Sequence, residues 1–290
     1  AKVSGTMRLR VADVAVKGEG SLTAQVLPYS DQFEVTKEGN TWKGRIAGDE
    51  IVATVSYDGN TYAYTNFISA WGNVSGSSTA EEYTITLYQD VTATANRGLS
   101  TANLTLDLNG HSYIFTGTGN GITVYSGRSL NVTDSSETGG GRLVATNANV
   151  NSMLYTQTNS SGAAITVGES VTVEGPILLL GDNPMLDVYG TIDTTALNSG
   201  AIYNNGSDTT NSTINLYDGA VVQSDSHAIY HPGTGTLNVY DGATVSGGNV
   251  GIEMRSGTLN VYDGAQISGG DGKPSSAANG SGTTTNNAGI

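Results

Sequence analysis

The residues of this chain best equipped for chemistry are Asp225, His227 and His231, which lie close together with Tyr230 between the two histidines. Two imidazoles and a carboxylate suit a metal ion or a proton transfer. A metal site of that kind needs a third strong ligand or a signature spacing, and the surrounding residues supply neither. His227 has the parity of Ile229, so it is expected to face inward or sit in a turn. His231 precedes Pro232-Gly233 and is expected in another turn. Turn and edge histidines are the simpler reading, and no metal or other cofactor is assigned.

A second set is larger and more regular. Tyr189, Tyr217, Tyr240 and Tyr262 stand two residues after Asp187, Asn215, Asn238 and Asn260. A row of rings flanked by amides is a sensible platform for sugars, because ring faces pack on C–H surfaces while amides bond hydroxyls. The same residues also stabilise a stack of strands as in-register ladders, by about 0.2–1 kcal/mol per pair. Aligned repeats bring identical residues together automatically, which makes the ladder the more economical of the two readings. Asp218, Asp241 and Asp263 form a third row, each before a glycine. Stacked carboxylates suit calcium, but Asp-Gly is already explained as turn chemistry.

These rows exist because the chain repeats. Ile214-Asn-Leu-Tyr-Asp-Gly-Ala, Leu237-Asn-Val-Tyr-Asp-Gly-Ala and Leu259-Asn-Val-Tyr-Asp-Gly-Ala follow one another at spacings of 23 and 22 residues, with looser copies at Leu186 and Leu130. Ahead of each stands a shorter piece, as in Gly121-Ile122, Ala164-Ile165, Ala201-Ile202, Ala228-Ile229 and Gly251-Ile252. Each unit offers three short period-2 runs separated by Gly, Asn, Asp or Ser, which are strand and turn signals. A unit this short cannot bury its apolar face alone, whereas units stacked at ~4.8 Å share one core. The expected fold is all-β, a right-handed parallel β-helix of about 22 residues per coil. Roughly eight coils over residues 83–272 make a rod on the order of 40 Å long. In Leu237-Asn238-Val239-Tyr240, alternation points Leu and Val inward and Asn and Tyr outward.

The flanks read differently. Residues 1–50 carry alternating runs at Met7, Leu9 and Val11, at Leu22, Ala24 and Val26, and a hairpin signal about Glu38-Gly39-Asn40, predicting a small antiparallel β module. Residues 51–78 hold a second hairpin signal at Asp58-Gly59-Asn60, then Phe67, Ala70, Trp71 and Val74 at helical spacing, read as a cap over the first coil. The β-helix takes residues 79–290. Asn287-Ala-Gly-Ile290 matches Asn249-Val-Gly-Ile252, so another coil is expected to begin there, with residues 273–287 as an enlarged turn in a piece of a longer protein.

Composition narrows the function. The net charge of −14 lies wholly in residues 51–290, because residues 1–50 are balanced. Such a surface repels phosphate backbones, which argues against nucleic-acid partners. No apolar run reaches the ~20 residues of a membrane span. With no cysteine, disulfides, thiol catalysis and thiolate metal sites are excluded.

Ile85-Thr-Leu-Tyr-Gln-Asp-Val91, Leu104-Thr-Leu-Asp-Leu-Asn-Gly-His111, Gly121-Ile-Thr-Val124 and Leu130-Asn-Val-Thr-Asp-Ser135 resemble pectate-lyase-like β-helix segments of Gram-positive bacterial surface proteins. Val52–Tyr62 and the Phe67–Val74 segment resemble the usual lead-in to that fold. The resemblance covers residues 51–270. It implies a secreted protein of adhesin type at the cell surface or cell wall, with a glycan or a host matrix or cell-surface protein as partner. A structural, self-assembling subunit that pairs through coil ends or edges is the alternative, and a polysaccharide lyase or hydrolase the third. The enzyme reading is disfavoured: the polygalacturonase signatures Asn-Thr-Asp, Asp-Asp, Gly-His-Gly and Arg-Ile-Lys are absent. No Lys or Arg lies between Arg142 and Arg255 to meet a uronate carboxylate.

Overall fold

The computed structural model describes residues 13–15, 33–38, 41–46, 51–76, 82–197, 199–270 and 288–290. The runs at Met7–Val11 and Leu22–Val26 and the turn at 273–287 lie outside the described residues.

Alternation and stacking act together to produce three sheets. One has eight strands, from Val91–Ala93 to Gln266–Gly269; another has seven, from Arg97–Leu99 to Val250–Met254; the largest has ten, from Asn60–Tyr64 to Thr258–Val261. Among the described residues, the strands from Glu82–Leu87 onward pair with one another in parallel, each joining the strand one coil away. Among the described residues the chain forms a parallel β-helix of eight coils. Its inner face is a set of aliphatic columns. Leu104, Leu130, Ile165, Leu186, Ile214 and Leu237 stack in register, all at most 2% exposed. Ile122, Leu154, Ile177, Ile202, Ile229 and Ile252 form a second column with no exposure at all. Each such side chain contributes roughly 1.5–3 kcal/mol by leaving water.

The coil of about 22 residues recurs along the rod but is not uniform: Tyr83 and Leu104 are 21 residues apart, as are Ile165 and Leu186. Asn238 and Asn260 are 22 residues apart, but the equivalent place ahead of Asn215 belongs to Asp187, 28 residues earlier, and Ser126 reaches Ser161 across 35. The strands keep register because the core demands it, while the corners absorb the additional residues as loops. The Asp-Gly turns are tighter. Gly242 has φ +76°, and a Cβ there would run into the Asp218 carboxylate of the preceding coil. Glycine is required both for the turn and for the neighbouring aspartate.

At the start of the rod, Ala53–Tyr57 and Asn60–Tyr64 form the expected hairpin, with Asp58 and Gly59 both at positive φ as a tight two-residue turn requires. The hairpin continues the ten-stranded sheet, because Ala53–Tyr57 also pairs antiparallel with Glu82–Leu87. The helix Phe67–Ser75 follows, capped by Asn66, whose Oδ1 accepts from Ser69 N at 2.8 Å. It buries Phe67, Ala70, Trp71 and Val74, and the Trp71 indole donates to the Gly98 carbonyl at 3.2 Å. Hairpin, helix and coils share one hydrophobic core. In residues 13–46, Asp13–Ala15, Phe33–Glu38 and Thr41–Ile46 form a three-stranded antiparallel sheet.

At the far end, Ala288 bridges to Val250, and Gly251 N and Ile252 N donate to the carbonyls of Ala288 and Gly289 at 3.1 and 2.8 Å. Residues 288–290 thus lie against Val250–Ile252, the last strand of the seven-stranded sheet.

Candidate functional site

The outer face of the ten-stranded sheet gathers the tyrosine and asparagine rows, and strand register puts them there. Asp187, Asn215, Asn238 and Asn260 are successive partners in the parallel ladder. Their side chains join directly. Asn260 Nδ2 donates to Asn238 Oδ1 at 2.8 Å, Asn238 Nδ2 to Asn215 Oδ1 at 2.7 Å, and Asn215 Nδ2 to Asp187 Oδ1 at 2.8 Å. Every donor points toward the start of the rod, and the series ends on a carboxylate, the strongest acceptor available. Asn215 and Asn238 are only 8% and 9% exposed. Asn238 lies on the outer face, as alternation predicts, and its neighbours in the ladder enclose it.

The tyrosines follow the same geometry. Centroids of Tyr189 and Tyr217 are 4.3 Å apart, those of Tyr217 and Tyr240 5.2 Å, and those of Tyr240 and Tyr262 4.7 Å, with planes within 4°, 11° and 19° of parallel. The rings lie face to face along the rod. The faces of Tyr217 and Tyr240 are covered on both sides, so a sugar ring cannot lie on them. Edges and hydroxyls face outward, and Tyr262, 46% exposed, keeps the face turned away from Tyr240. The Tyr217 hydroxyl donates to Asp187 Oδ1 at 3.4 Å, and its pKa is pushed up to about 12 by loss of surrounding water, then by the Asp187 charge.

One of the two histidines takes another place than expected. His231 is not in a turn: it ends the strand His227–His231 and is fully buried. Ile229 and His231 share a parity, so the pattern that sends Ile229 into the core carries His231 with it. Its Nδ1 lies 3.2 Å from the Ser256 carbonyl, which can only accept, so Nδ1 carries the proton. Nε2 is 3.2 Å from Ser212 Oγ, which also accepts from Asn204 Nδ2 at 3.2 Å. Burial holds the His231 pKa below its ordinary value against the opposing pull of the carbonyl. A serine beside a histidine resembles a nucleophile and its base. Here Ser212 and His231 are fully buried and Asn204 is 2% exposed, so a substrate has no approach.

His227, 5% exposed, places Nε2 at 3.0 Å from Glu253 Oε2, within ion-pair distance. Glu253 is 8% exposed and receives Arg255 Nε at 2.6 Å on its other oxygen. The Arg255 guanidinium lies 5.7 Å from the Tyr230 ring centre. Burial lowers the His227 pKa more than the Glu253 charge raises it. Asp225 does not complete a site with the two histidines: among the described residues, no group of three His, Cys, Asp or Glu is placed to hold a metal. Asp218, Asp241 and Asp263 are exposed at the turns, as their Asp-Gly chemistry requires.

Sequence reasoning does not single out Glu253, Ser212 or Asn204. The parity of Ile202 and Asn204 carries a signal for the inward asparagine. Nothing in the spacing of Glu253 announces its pairing with His227 one coil below.

No helix among the described residues is long and apolar enough to cross a membrane. No family model matches the sequence, and no curated protein or solved structure matches it significantly.

Proposed function

We propose that this chain is a non-catalytic stalk or display segment of an extracellular surface protein of adhesin type, carrying a binding surface for glycans or host matrix away from the cell. The observation that carries the reading is the use of both faces of the ten-stranded sheet for coil-to-coil contact. Aliphatic columns fill the inside, while the amide and ring ladders fasten the outside. Such an arrangement stiffens a rod. The grouping that most resembles catalytic machinery, Ser212 with His231, is sealed in the core, which favours display over hydrolysis.

Glycan recognition, in this reading, uses the outward ring edges and hydroxyls together with the open face of Tyr262. Antibody labelling and protease shaving of intact cells test the location, and a protein found only inside the cell rejects it. Glycan-array binding by Tyr217→Ser and Tyr262→Ser variants tests the surface. Loss with Tyr262→Ser supports it, and unchanged binding in both variants removes the tyrosine row as the contact. Release of reducing ends or unsaturated uronates from acidic polysaccharides by the purified chain would overturn the non-catalytic reading.

A further inference from the structure

The tyrosine column lacks a rung. Strand register continues it backward from Tyr189: Val188 pairs with Val167 and Val167 with Val132, so Gly168 and then Thr133 hold the preceding places. The backbone repeats unchanged through these coils. Tyr262 N donates to Val239 O, Tyr240 N to Leu216 O, Tyr217 N to Val188 O, Tyr189 N to Val167 O and Gly168 N to Val132 O, each at 2.9 Å. The turn that follows is also the same, since Val171 N donates to Gly168 O as Ala220 N does to Tyr217 O and Ala243 N to Tyr240 O. Gly168 therefore stands in a tyrosine position without a side chain. Its φ lies outside the left-handed region, so the turn itself does not call for glycine.

Columns repeat every ~4.8 Å, so one absent side chain leaves a slot about one ring thick. Tyr189 forms one wall. One of its faces is stacked on Tyr217, 4.3 Å away and within 4° of parallel, and among the described residues no ring stacks on the face toward Gly168. Thr133 forms the opposite wall, its Cγ2 lying 3.9 Å from where a Gly168 Cβ would be. The slot sits in the middle of the ten-stranded sheet, with strands continuing on both sides, so it depends on neither end of the rod. Asp187 and Thr166, register partners on the same outer face, flank it. Asp187 Oδ1 accepts from the Asn215 amide at 2.8 Å and from the Tyr217 hydroxyl at 3.4 Å, and Oδ2 takes part in neither bond. Glu169, next to Gly168, is exposed.

We propose that this slot takes one uncharged hexopyranose residue of a glycan, its C–H face on Tyr189 and its hydroxyls bonded to Asp187 and Thr166. The inference rests on the glycan reading above and gives it a position and a sugar class. Tyr217 and Tyr240 cannot serve in this way, because rings cover both of their faces. Asp187 and Glu169, in a chain without Lys or Arg between Arg142 and Arg255, repel a uronate or any other acidic sugar. One stacked ring and a few hydrogen bonds predict a dissociation constant on the order of millimolar for a single sugar.

The test is an NMR titration of the full chain with the methyl glycosides of glucose, galactose and mannose, and with glucuronate as the acidic control. At least one neutral glycoside is expected to bind, with its ring protons shifted upfield as they are over an aromatic face. Tyr189→Ser should weaken binding about tenfold or more and Tyr189→Phe less than about threefold, because the ring carries the contact. Gly168→Tyr supplies the missing rung and should abolish binding with an unchanged circular dichroism spectrum; the nearest obstacle to its Cβ is Val132 O at 3.0 Å, which a small shift relieves. Absence of binding by every neutral glycoside, unchanged binding in Tyr189→Ser or in folded Gly168→Tyr, or glucuronate bound as tightly as the neutral sugars overturns the proposal. On a glycan array, binding that survives Gly168→Tyr and Tyr189→Ser removes the slot and keeps the wider glycan reading, whereas no binding by the unmodified chain removes both.

Discussion

Asn238 donates to Asn215 across adjacent coils at 2.7 Å while accepting from Asn260 at 2.8 Å, which makes it the middle link of a one-directional amide chain on the outside of the rod. Replacing it leaves two amides without their partners in a site only 9% exposed. Asn238→Ala is expected to cost about 1–3 kcal/mol, against about 1 kcal/mol or less for Asn260→Ala, where one of the described ladder bonds is lost. Urea midpoints of the two variants check the difference; equal losses would show that the ladder adds nothing beyond its individual bonds.

The tyrosine column makes a spectroscopic prediction. Tyr217 ionises only near about 12, because the stack excludes water and Asp187 places a negative charge beside the hydroxyl. Following tyrosinate absorbance through an alkaline titration, Tyr217→Phe should remove a late step and Asp187→Asn should bring that step earlier.

Gly242 meets two demands at once, a positive φ and contact with the Asp218 carboxylate. Gly242→Ala is expected to lose about 1–2 kcal/mol from the backbone alone, plus the cost of displacing the carboxylate. Adding Asp218→Ala should recover the second part and not the first, a coupling that a double-mutant cycle measures directly.

Acid should loosen the last coils before it unfolds the rest. His227 and His231 have folded pKa values below the ordinary 6.5, so the folded state resists protonation more than the unfolded state does. Their contribution is fully favourable above about pH 6.5 and falls as the pH drops below it, since the unfolded chain then binds the additional protons. Asp134 and Asp193 act in a lower window. Burial pushes both upward, but their hydrogen bonds together outweigh it and hold them below the ordinary 3.8, so their contribution is lost only as the pH falls below that value. Amide exchange at pH 5 should therefore quicken in residues 227–254 while the first coils stay protected. His231→Gln should flatten the change between pH 7 and pH 5.

Much of this was legible in the residues themselves. Period-2 alternation assigned Leu237 and Val239 to the core, Asp-Gly marked the turns, and the spacing of Phe67, Ala70, Trp71 and Val74 announced the capping helix, because each of these signals acts within a few residues. The tyrosines could be aligned from the repeat, but not the way their rings would turn. Only neighbouring coils in place decide that the rings stack face to face and cover the surface a sugar would need.

Residues far apart in sequence obeyed the same distinction. His231 was drawn toward a turn by Pro232-Gly233, yet the parity of Ile229 carried it into the core beside Ser212. Glu253 found His227 because the register of one coil on the next brought them together. Alternation and turn chemistry, local and short in range, determined the strands, their faces and the rod. Which side chains meet between coils depended on register carried across as many as 35 residues and on loops of unequal length, and that the tertiary structure alone decided.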